Sequence, residues 1–160
     1  MIRLEIPGLG VREIETVITD YTGTHAFAGA VRPGVKARLA ALARQAEVQV
    51  LTADTFGTAR GELAGLPVAV HVLTGERHDE QKRAYVLERN PQHVAAFGNG
   101  NNDRLLLKAV RDAGGLAVAV DNGEGCALDA ILAADLLVHG SENALDLLLD
   151  TDRCKATLRF

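Results

Sequence analysis

The sequence predicts an α/β protein with a doubly wound, mainly parallel sheet in three αβα layers. Short apolar runs, several rich in β-branched residues, alternate along the chain with amphipathic stretches of about three helical turns. This alternation is typical of parallel strands joined by helices that cover both faces of a sheet. The chain has 160 residues, of which 48% are hydrophobic. These values suit one domain with one core, and we expect a single domain over residues 1–160.

The first half of the chain contains three of the predicted main strands. Residues 14–19 (IETVIT) predict the first of them, and residues 4–6 (LEI) are expected to pair with it as a small antiparallel extension. Apolar residues at helical spacing, with Pro33 in the first turn, predict a helix over 32–46. The elements predicted next are a strand at 48–52, a helix at 54–65 that ends at Gly65, and a strand at 68–73.

The second half alternates in the same way. A charged stretch that stops before Pro91 predicts a helix over 78–90, and the apolar run that follows predicts a strand over 93–98. Ser141 and a carboxylate after it suit the N-cap and first turn of a late helix. The remaining predicted elements are a helix at 103–114, a strand at 116–120, a helix at 124–134, a strand at 135–140 and a helix at 141–150.

The composition argues against several classes of partner and site. The formal net charge is −4 at pH 7 and aromatic residues make up 4%, which disfavours nucleic acid or an anionic membrane as a partner. Cys126 and Cys154 lack metal-ligand spacing, so we expect one buried and one partly exposed thiol in a reducing compartment. No stretch has the length of a membrane span or the apolar core of a signal peptide, which favours a soluble cytoplasmic protein.

Polar residues follow three predicted strands at the point where each strand ends. Asp20 follows the first main strand, Thr52 ends the next one, and the glycine-asparagine loop 98–103 follows a third. Because ligands of such sheets bind beyond the carboxyl ends of the strands, these features are expected to converge on one edge. Each feature also has a purely structural interpretation. Asp20 suits an Asx turn, Thr52 a strand end before a helix cap, and Asn102 or Asp103 the cap of the next helix.

The order of these motifs resembles that of a known superfamily. DYTGT (20–24), Thr52, Lys82 and GNGNND (98–103) occur in the order found in the haloacid dehalogenase (HAD) superfamily of phosphotransferases. The D-x-T-G-T form looks like the phosphorylation domain of P-type ATPases, and most like small soluble proteins that carry it without membrane helices or a nucleotide-binding insert. LTADTFGTA (51–59) and KATLR (155–159) extend the likeness over nearly the whole chain. The resemblance implies a HAD-like Rossmannoid core.

The resemblance implies a phosphoryl-transfer site at the sheet edge. It makes Asp20 the nucleophile, which attacks phosphorus and forms an aspartyl phosphate. It assigns the Thr52 hydroxyl and nearby backbone groups at Gly23 and Ala53, together with Asn102, to the phosphoryl oxygens. Within the loop 98–103, the glycines are expected to allow positive φ and a close approach of the ligand.

Lys82 is the cation that the resemblance places beside the phosphoryl group. Its segment, DEQKR at 79–83, is highly charged, so a solvated helix lysine is the structural alternative. Arg77 and Arg83 are the competing cations for the same role.

The resemblance also implies a Mg²⁺ ion, which prefers hard oxygen ligands and keeps several waters. Asp20 would supply a carboxylate oxygen and Thr22 its backbone carbonyl, and Asn99 and Asp103 would supply oxygens from the loop. The superfamily ordinarily has an aspartate at the position of Asn99, so this site has one negative charge fewer. We therefore expect weak metal binding.

Thr22 is a second informative position. Many phosphatases of the superfamily carry an aspartate two residues after the nucleophile, where it protonates the leaving alcohol and then activates water. A threonine does not titrate near neutral pH, so we expect slow hydrolysis. Acyl phosphates and nucleotides, whose leaving groups need no proton, are favoured over ordinary esters.

The spacing of the motifs leaves no room for a cap domain. The intervals from Asp20 to Thr52 and from Thr52 to Lys82 each hold only one predicted helix and one predicted strand. The leading hypothesis is a Mg²⁺-dependent, slow phosphatase whose open site is covered by a macromolecular substrate or by neighbouring subunits of a homo-oligomer. One alternative is a regulatory module that binds phosphate or metal without turnover. Another is a nucleotide-binding fold whose glycine loop holds a pyrophosphate, although the loop comes late in the chain.

Overall fold

The structure is a computed structural model that describes Met1–Phe160, and a six-stranded parallel sheet lies at its centre. The strands are β1 (Ile2–Ile6), β2 (Gly10–Ile14), β3 (Thr16–Thr19), β4 (Ala26–Phe27), β5 (Ala30–Val31), β6 (Glu47–Thr52), β7 (Ala69–Val72), β8 (Val94–Gly98), β9 (Leu116–Asp121) and β10 (Leu136–His139). The helices are α1 (Pro33–Leu42), α2 (Ala59–Glu62), α3 (His78–Leu87), α4 (Arg104–Asp112), α5 (Leu128–Ala133), α6 (Ser141–Leu149) and α7 (Thr151–Leu158). The main sheet has the order β10-β9-β8-β3-β6-β7.

Helices cover both faces of this sheet, which confirms the predicted three-layer α/β fold. The inner strands β8 and β9 are buried along almost their whole length, as expected for parallel strands covered on both faces. One face packs against α1 and α6, and the other against α3, α4 and α5. The core on the α1 and α6 side contains 26 buried residues and the core on the other side contains 11, so most of the buried residues lie on the α1 and α6 side.

The first strands differ from the prediction in their pairing and in their bounds. Residues 4–6 pair with β2, not with the first main strand, because a tight turn at Pro7–Gly10 folds the chain back on itself. The run 14–19 is divided between two sheets: Ile14 ends β2, and β3 begins at Thr16. Glu15 lies between them, where its backbone bonds His93 and Glu47. A continuous β-branched pattern cannot show that a strand changes sheets.

The predicted helix at 54–65 is much shorter than expected. Only Ala59–Glu62 is helical. The Asp54 carboxylate accepts the N–H groups of Thr58 and Ala59, at 3.0 and 3.1 Å, and holds the preceding residues in a loop. The predicted helix at 124–134 likewise begins only at Leu128, after the Ala127 N–H donates to the carbonyl of Asn99.

The other predicted elements occur close to their expected positions, and one helix was not predicted. The helix α7, which contains part of KATLR, packs against α6 and β1. Both cysteines are free: Cys154 is buried and Cys126 is partly exposed, as predicted. None of the helices combines the length and the apolar character needed to cross a membrane.

Candidate active site

Asp20 is the first residue after β3, at the centre of the carboxyl edge of the sheet. Its N–H donates to the carbonyl of Phe97 on β8 (2.9 Å), and the Thr19 hydroxyl donates to its carbonyl (2.8 Å). The residue is only 4% exposed. Its carboxylate bonds side chains and not the N–H two residues on, so the Asx-turn interpretation is wrong. A carboxylate is thus fixed rigidly where ligands of such sheets bind.

Lys82 joins Asp20 to Asp103. Its Nζ lies 2.7 Å from Oδ1 of Asp20 and 2.6 Å from Oδ1 of Asp103, and the side chain is fully buried. The alternative of a solvated helix lysine is therefore wrong. Arg77 and Arg83, the competing cations, are exposed and pair with the same surface glutamate.

Two carboxylates share the one ammonium of Lys82 in this buried cluster. Burial and the neighbouring Asp103 raise the pKa of Asp20 to about 6, against the lowering effect of Lys82. Burial opposes the positive charge of Lys82, but Asp103 and Asp20 outweigh it and raise the pKa of this lysine. Lys82 therefore stays protonated through neutral pH, and Asp20 becomes an anion as the pH rises above about 6.

The loop 98–103 wraps around the carboxylate of Asp103. Oδ2 of Asp103 accepts the N–H groups of Asn99 (3.0 Å) and Gly100 (2.9 Å), and the side chain does not cap α4. The prediction of positive φ at Gly98 and Gly100 was wrong. Glycine is needed at 98 for another reason, since a Cβ there would lie 2.5 Å from Cβ of Asp103.

Thr24 lies between Asp20 and the loop 98–103. Its Oγ1 is 3.2 Å from Oδ1 of Asn99 and 3.5 Å from Oδ2 of Asp20. Asn99 Nδ2 donates to the carbonyl of Gly125 at 3.3 Å, so its amide oxygen faces Thr24 and the site. No role was predicted for Thr24. Its place in the TGT segment, four residues after Asp20, was the feature of the sequence that could have indicated one. Gly23 has a φ of +76°, and its missing side chain makes room for Asn99.

Thr52 ends β6, which is the neighbour of β3 in the sheet. The Thr52 hydroxyl is buried and accepts the N–H of Asp54 at 2.9 Å, which leaves its own O–H group free to donate. Ala53 follows it in the same turn and is partly buried. Asn102 is also partly buried, with its amide oxygen against Gly100. The roles of these three residues remain predictions.

The types of residue that were predicted to hold a Mg²⁺ ion are compatible with one. No group of three His, Cys, Asp or Glu side chains is placed to hold a metal. Asp20, the Thr22 carbonyl and the Asn99 amide offer one anionic and two neutral oxygens, a set that suits Mg²⁺ if the ion keeps several waters. Asp103 is less free than expected, because Lys82 and two backbone N–H groups already bond its oxygens.

The short β4–β5 hairpin, which we call the flap, rises from the chain just after Thr24 and His25. The Ala28 N–H donates to Glu124 and the Val31 N–H donates to Glu62, each at 3.0 Å, so the flap is tied down on both sides. Phe27 on the flap and Phe56 in the loop after β6 are about half exposed.

Comparison with known proteins identifies the fold. No family model matches the chain. A magnesium-, phosphate- and KDO-bound 3-deoxy-D-manno-octulosonate 8-phosphate phosphatase from Moraxella catarrhalis is similar over 91% of this chain and 94% of that one, at a TM-score of 0.65 and 20% identity. The chain has the HAD fold. The cobalt-bound deoxy-D-mannose-octulosonate 8-phosphate phosphatase (YrbI) from Haemophilus influenzae is similar over 91% of each chain, at a TM-score of 0.65 and 18% identity. A haloacid dehalogenase-like hydrolase from Streptococcus pneumoniae covers 83% of this chain and 97% of its own, at a TM-score of 0.58 and 14% identity.

The chain also resembles another protein in sequence. The uncharacterized protein MJ0073 of Methanocaldococcus jannaschii is 44% identical over 73 residues, which are 45% of this chain and 74% of that protein. The chain belongs to the same family as MJ0073. The HAD fold confirms what the motif resemblance implied about the architecture.

Proposed function

We propose that the protein is a Mg²⁺-dependent phosphatase that acts through an aspartyl phosphate on Asp20. The observation that carries this proposal is the contact of 2.7 Å between the buried Lys82 ammonium and the Asp20 carboxylate, directly after β3. A nucleophile for phosphoryl transfer needs a fixed position and a cation that offsets the charge of the phosphoryl group. Structural neighbours that are phosphatases, with magnesium or cobalt bound, support the same reaction class.

The reaction begins with attack of an Asp20 oxygen on phosphorus, as the bond from phosphorus to the leaving oxygen breaks. The Lys82 ammonium and the free Thr52 O–H offset charge on the phosphoryl oxygens. Asp20, the Thr22 carbonyl and Asn99 would hold a Mg²⁺ ion, which supplies further positive charge when bound. Water then attacks the phosphorus, releases phosphate and restores the Asp20 carboxylate, with the proton of the water passing to phosphate or to solvent.

Thr22 limits this sequence at two points. Its hydroxyl is buried without a hydrogen-bond partner, and it has no group that titrates near neutral pH. The leaving oxygen must therefore depart without a proton from this position, and the attacking water has no base there. Acyl phosphates and other substrates with good leaving groups are the class that this site suits.

The cover of the site and the cellular setting are parts of the same proposal. The whole chain acts as a single domain without a cap, and the flap alone borders the site. A phosphorylated macromolecule or a second subunit would then complete the cover, with no role for nucleic acid or membrane. Two free thiols suit the reducing cytoplasm.

The test is a screen of phosphate esters, acyl phosphates and nucleotides with and without Mg²⁺. Wild type is compared with Asp20→Asn and with Asp112→Asn, which removes a carboxylate at an exposed position on α4. We expect turnover in wild type and Asp112→Asn, and none in Asp20→Asn. Full turnover in Asp20→Asn would refute the proposal.

A regulatory module without turnover is the second candidate, and Asn99 favours it. With an amide at position 99 and both oxygens of Asp103 already bonded, Oδ2 of Asp20 is the one carboxylate oxygen of the three residues left for a metal. Phosphate binding by calorimetry, with no phosphoryl transfer to Asp20 in mass spectrometry after incubation with acetyl phosphate, would select this candidate over the first.

A further inference from the structure

A polar cavity lies on the face of the sheet opposite α3, between the flap, the start of α1 and the start of α6. Its volume is about 270 Å³. The side chains that line it include His25, Phe27, Arg32, Asn122, Ser141 and Asn143. The proposed phosphoryl-transfer chemistry uses none of these residues.

His25 is the most unusual residue of this cavity. It is only 3% exposed, and neither ring nitrogen has a hydrogen-bond partner. The ring packs at a tilt on Phe97, with 6.1 Å between ring centroids, and burial lowers its pKa to about 3. A neutral imidazole keeps one N–H donor and one acceptor, and leaving both unpaired costs stability. A ligand in the cavity that paired with one of these nitrogens would remove this cost.

The start of α6 supplies further donors to the same cavity. This helix has nine residues, and no side chain caps its first turn, because the preceding residue is Gly140. First-turn N–H groups have no acceptor within a helix and attract anions. The Asn122 amide and the exposed Arg32 guanidinium extend the donor set around the opening.

The one acidic residue in the lining is paired with a base of α1. The Glu142 carboxylate lies 2.8 Å from Arg38 and packs against Gly34 at the start of α1. Arg38 also bonds both carboxylate oxygens of Asp146, so it offsets the charge of Glu142 only in part. Arg32 is the one basic residue in the lining.

We propose that this cavity is a second anion-binding site, which takes the phosphate or carboxylate group of a small molecule. It is coupled to the proposed active site, because the Ser141 hydroxyl donates to the carbonyl of Thr24 at 2.6 Å. Thr24 in turn contacts Asp20 and Asn99 through its hydroxyl. An anion bound at the start of α6 therefore acts on the position of Thr24.

The test is an NMR titration of the whole protein with inorganic phosphate in one arm and acetate in the other. Each site has its own reporters: the amides of 140–143 for the cavity, and those of Gly98 and Gly100 for the loop 98–103 of the proposed active site. We expect saturable shifts of 140–143 in at least one arm, and the arm with the tighter curve identifies the preferred group. The experiment does not depend on turnover, so it can succeed even if the proposed phosphatase activity fails.

Two variants separate binding from folding. His25→Phe keeps a ring on Phe97, and we expect a thermal midpoint a few degrees higher without anions, together with loss of the 140–143 response. Arg32→Gln should weaken the response about tenfold, whereas Arg60→Gln, a matched loss of an exposed arginine on α2, should leave it unchanged. The Gly98 and Gly100 response should persist in all three variants.

Two results would overturn the proposal. One is no shift at 140–143 in either arm at tens of millimolar anion. The other is an unchanged response in both His25→Phe and Arg32→Gln, which would show that the shifts come from ionic strength alone.

Discussion

Asn99 occupies the space that the missing side chain of Gly23 leaves open. A Cβ at position 23 would lie 2.2 Å from Nδ2 of Asn99, and the backbone of Gly23 has a φ of +76°. The residue that replaces the usual loop aspartate is thus positioned by a glycine in the first motif. The two motifs fit each other as a unit around the proposed metal position.

Gly23→Ala is expected to abolish turnover and to destabilise the protein. The left-handed backbone alone costs a non-glycine residue about 1–2 kcal/mol, and displacement of Asn99 adds to this. The matched control is Gly10→Ala, because Gly10 has a φ of +92° with nothing within 4 Å of the added methyl group. Urea unfolding should show a larger loss for Gly23→Ala. Equal losses would mean that Asn99 moves away without strain.

Asn99→Asp is expected to tighten Mg²⁺ binding and to raise phosphatase activity at low Mg²⁺. A unit charge about 4 Å away at an effective dielectric near 20 is worth roughly 4 kcal/mol before desolvation, so the net gain is smaller. Asn101→Asp adds the same charge to an exposed position of the same loop and is the control. Calorimetry on the three proteins measures the affinities. If both variants gain equally, Asn99 lies outside the coordination sphere.

Thr22→Asp is expected to speed breakdown of the phosphoenzyme. General acid–base assistance is worth roughly a hundredfold when the geometry is right, and a smaller gain is expected because no surrounding group orients the new carboxylate. In the control variant Thr22→Asn, the new side chain has the shape of aspartate but no group that titrates, so the rate of phosphoenzyme breakdown should not rise. Loss of label from phosphorylated protein measures the rate, and an equal rate in both variants would count against the role given to this position.

Lys82→Met is expected to destabilise the protein far more than Asp20→Asn. Without Lys82, the carboxylates of Asp20 and Asp103 remain buried with no cation, and breaking a buried pair in this way costs about 3–5 kcal/mol. Asp20→Asn leaves the buried pair of Lys82 and Asp103 intact. Lys108→Met, which breaks an exposed pair on α4, should change stability by less than about 1 kcal/mol. Chemical denaturation that gave the opposite ranking would contradict the central place of Lys82.

Asp20 is expected to make the stability of the metal-free protein fall as the pH rises from about 4 to about 6. Its folded pKa of about 6 exceeds the ordinary value of 3.8, so the folded state holds the proton more tightly over this interval. The extra stability from protonated Asp20 is fully present below pH 3.8 and is lost above about pH 6. It amounts to at most about 3 kcal/mol of the free energy of unfolding. Comparing wild type with Asp20→Asn in urea across this range isolates the effect. A slope that persists in the variant would assign it to another group.

The phosphatase activity is expected to fall as the pH drops below about 6. Attack needs the ionised Asp20 carboxylate, and protonation of this group removes the nucleophile. The pH profile of kcat/KM at fixed, low Mg²⁺ measures this limb. Because a bound cation lowers the pKa of a nearby carboxylate, saturating Mg²⁺ should move the limb to lower pH. A limb that Mg²⁺ does not move would place the metal away from Asp20.

The layered fold and the strand ends that carry the proposed chemistry could be predicted from the sequence alone. Alternating apolar runs and helical patterns predict a parallel sheet, since these periodicities follow from backbone geometry alone. Asp20, Thr52 and the loop 98–103 could be placed on one edge because parallel strands all point the same way. Lys82 could be selected only by the order of the motifs, since nothing in its charged segment distinguishes a buried lysine from a solvated one.

The pairing of the side chains could not be predicted in this way, because it depends on the packing of distant elements. The sharing of Lys82 by Asp20 and Asp103, the fit of Asn99 against Gly23, and the end of β2 at Ile14 all depend on distances between residues far apart in the chain. His25 is a further example of a residue whose environment the sequence did not predict. In the sequence it is one polar residue after a TGT segment, whereas in the fold its ring is buried without a hydrogen-bond partner beside a cavity. Local patterns fix which way the backbone runs, whereas burial and pairing are set by packing between elements, which no short stretch of sequence contains.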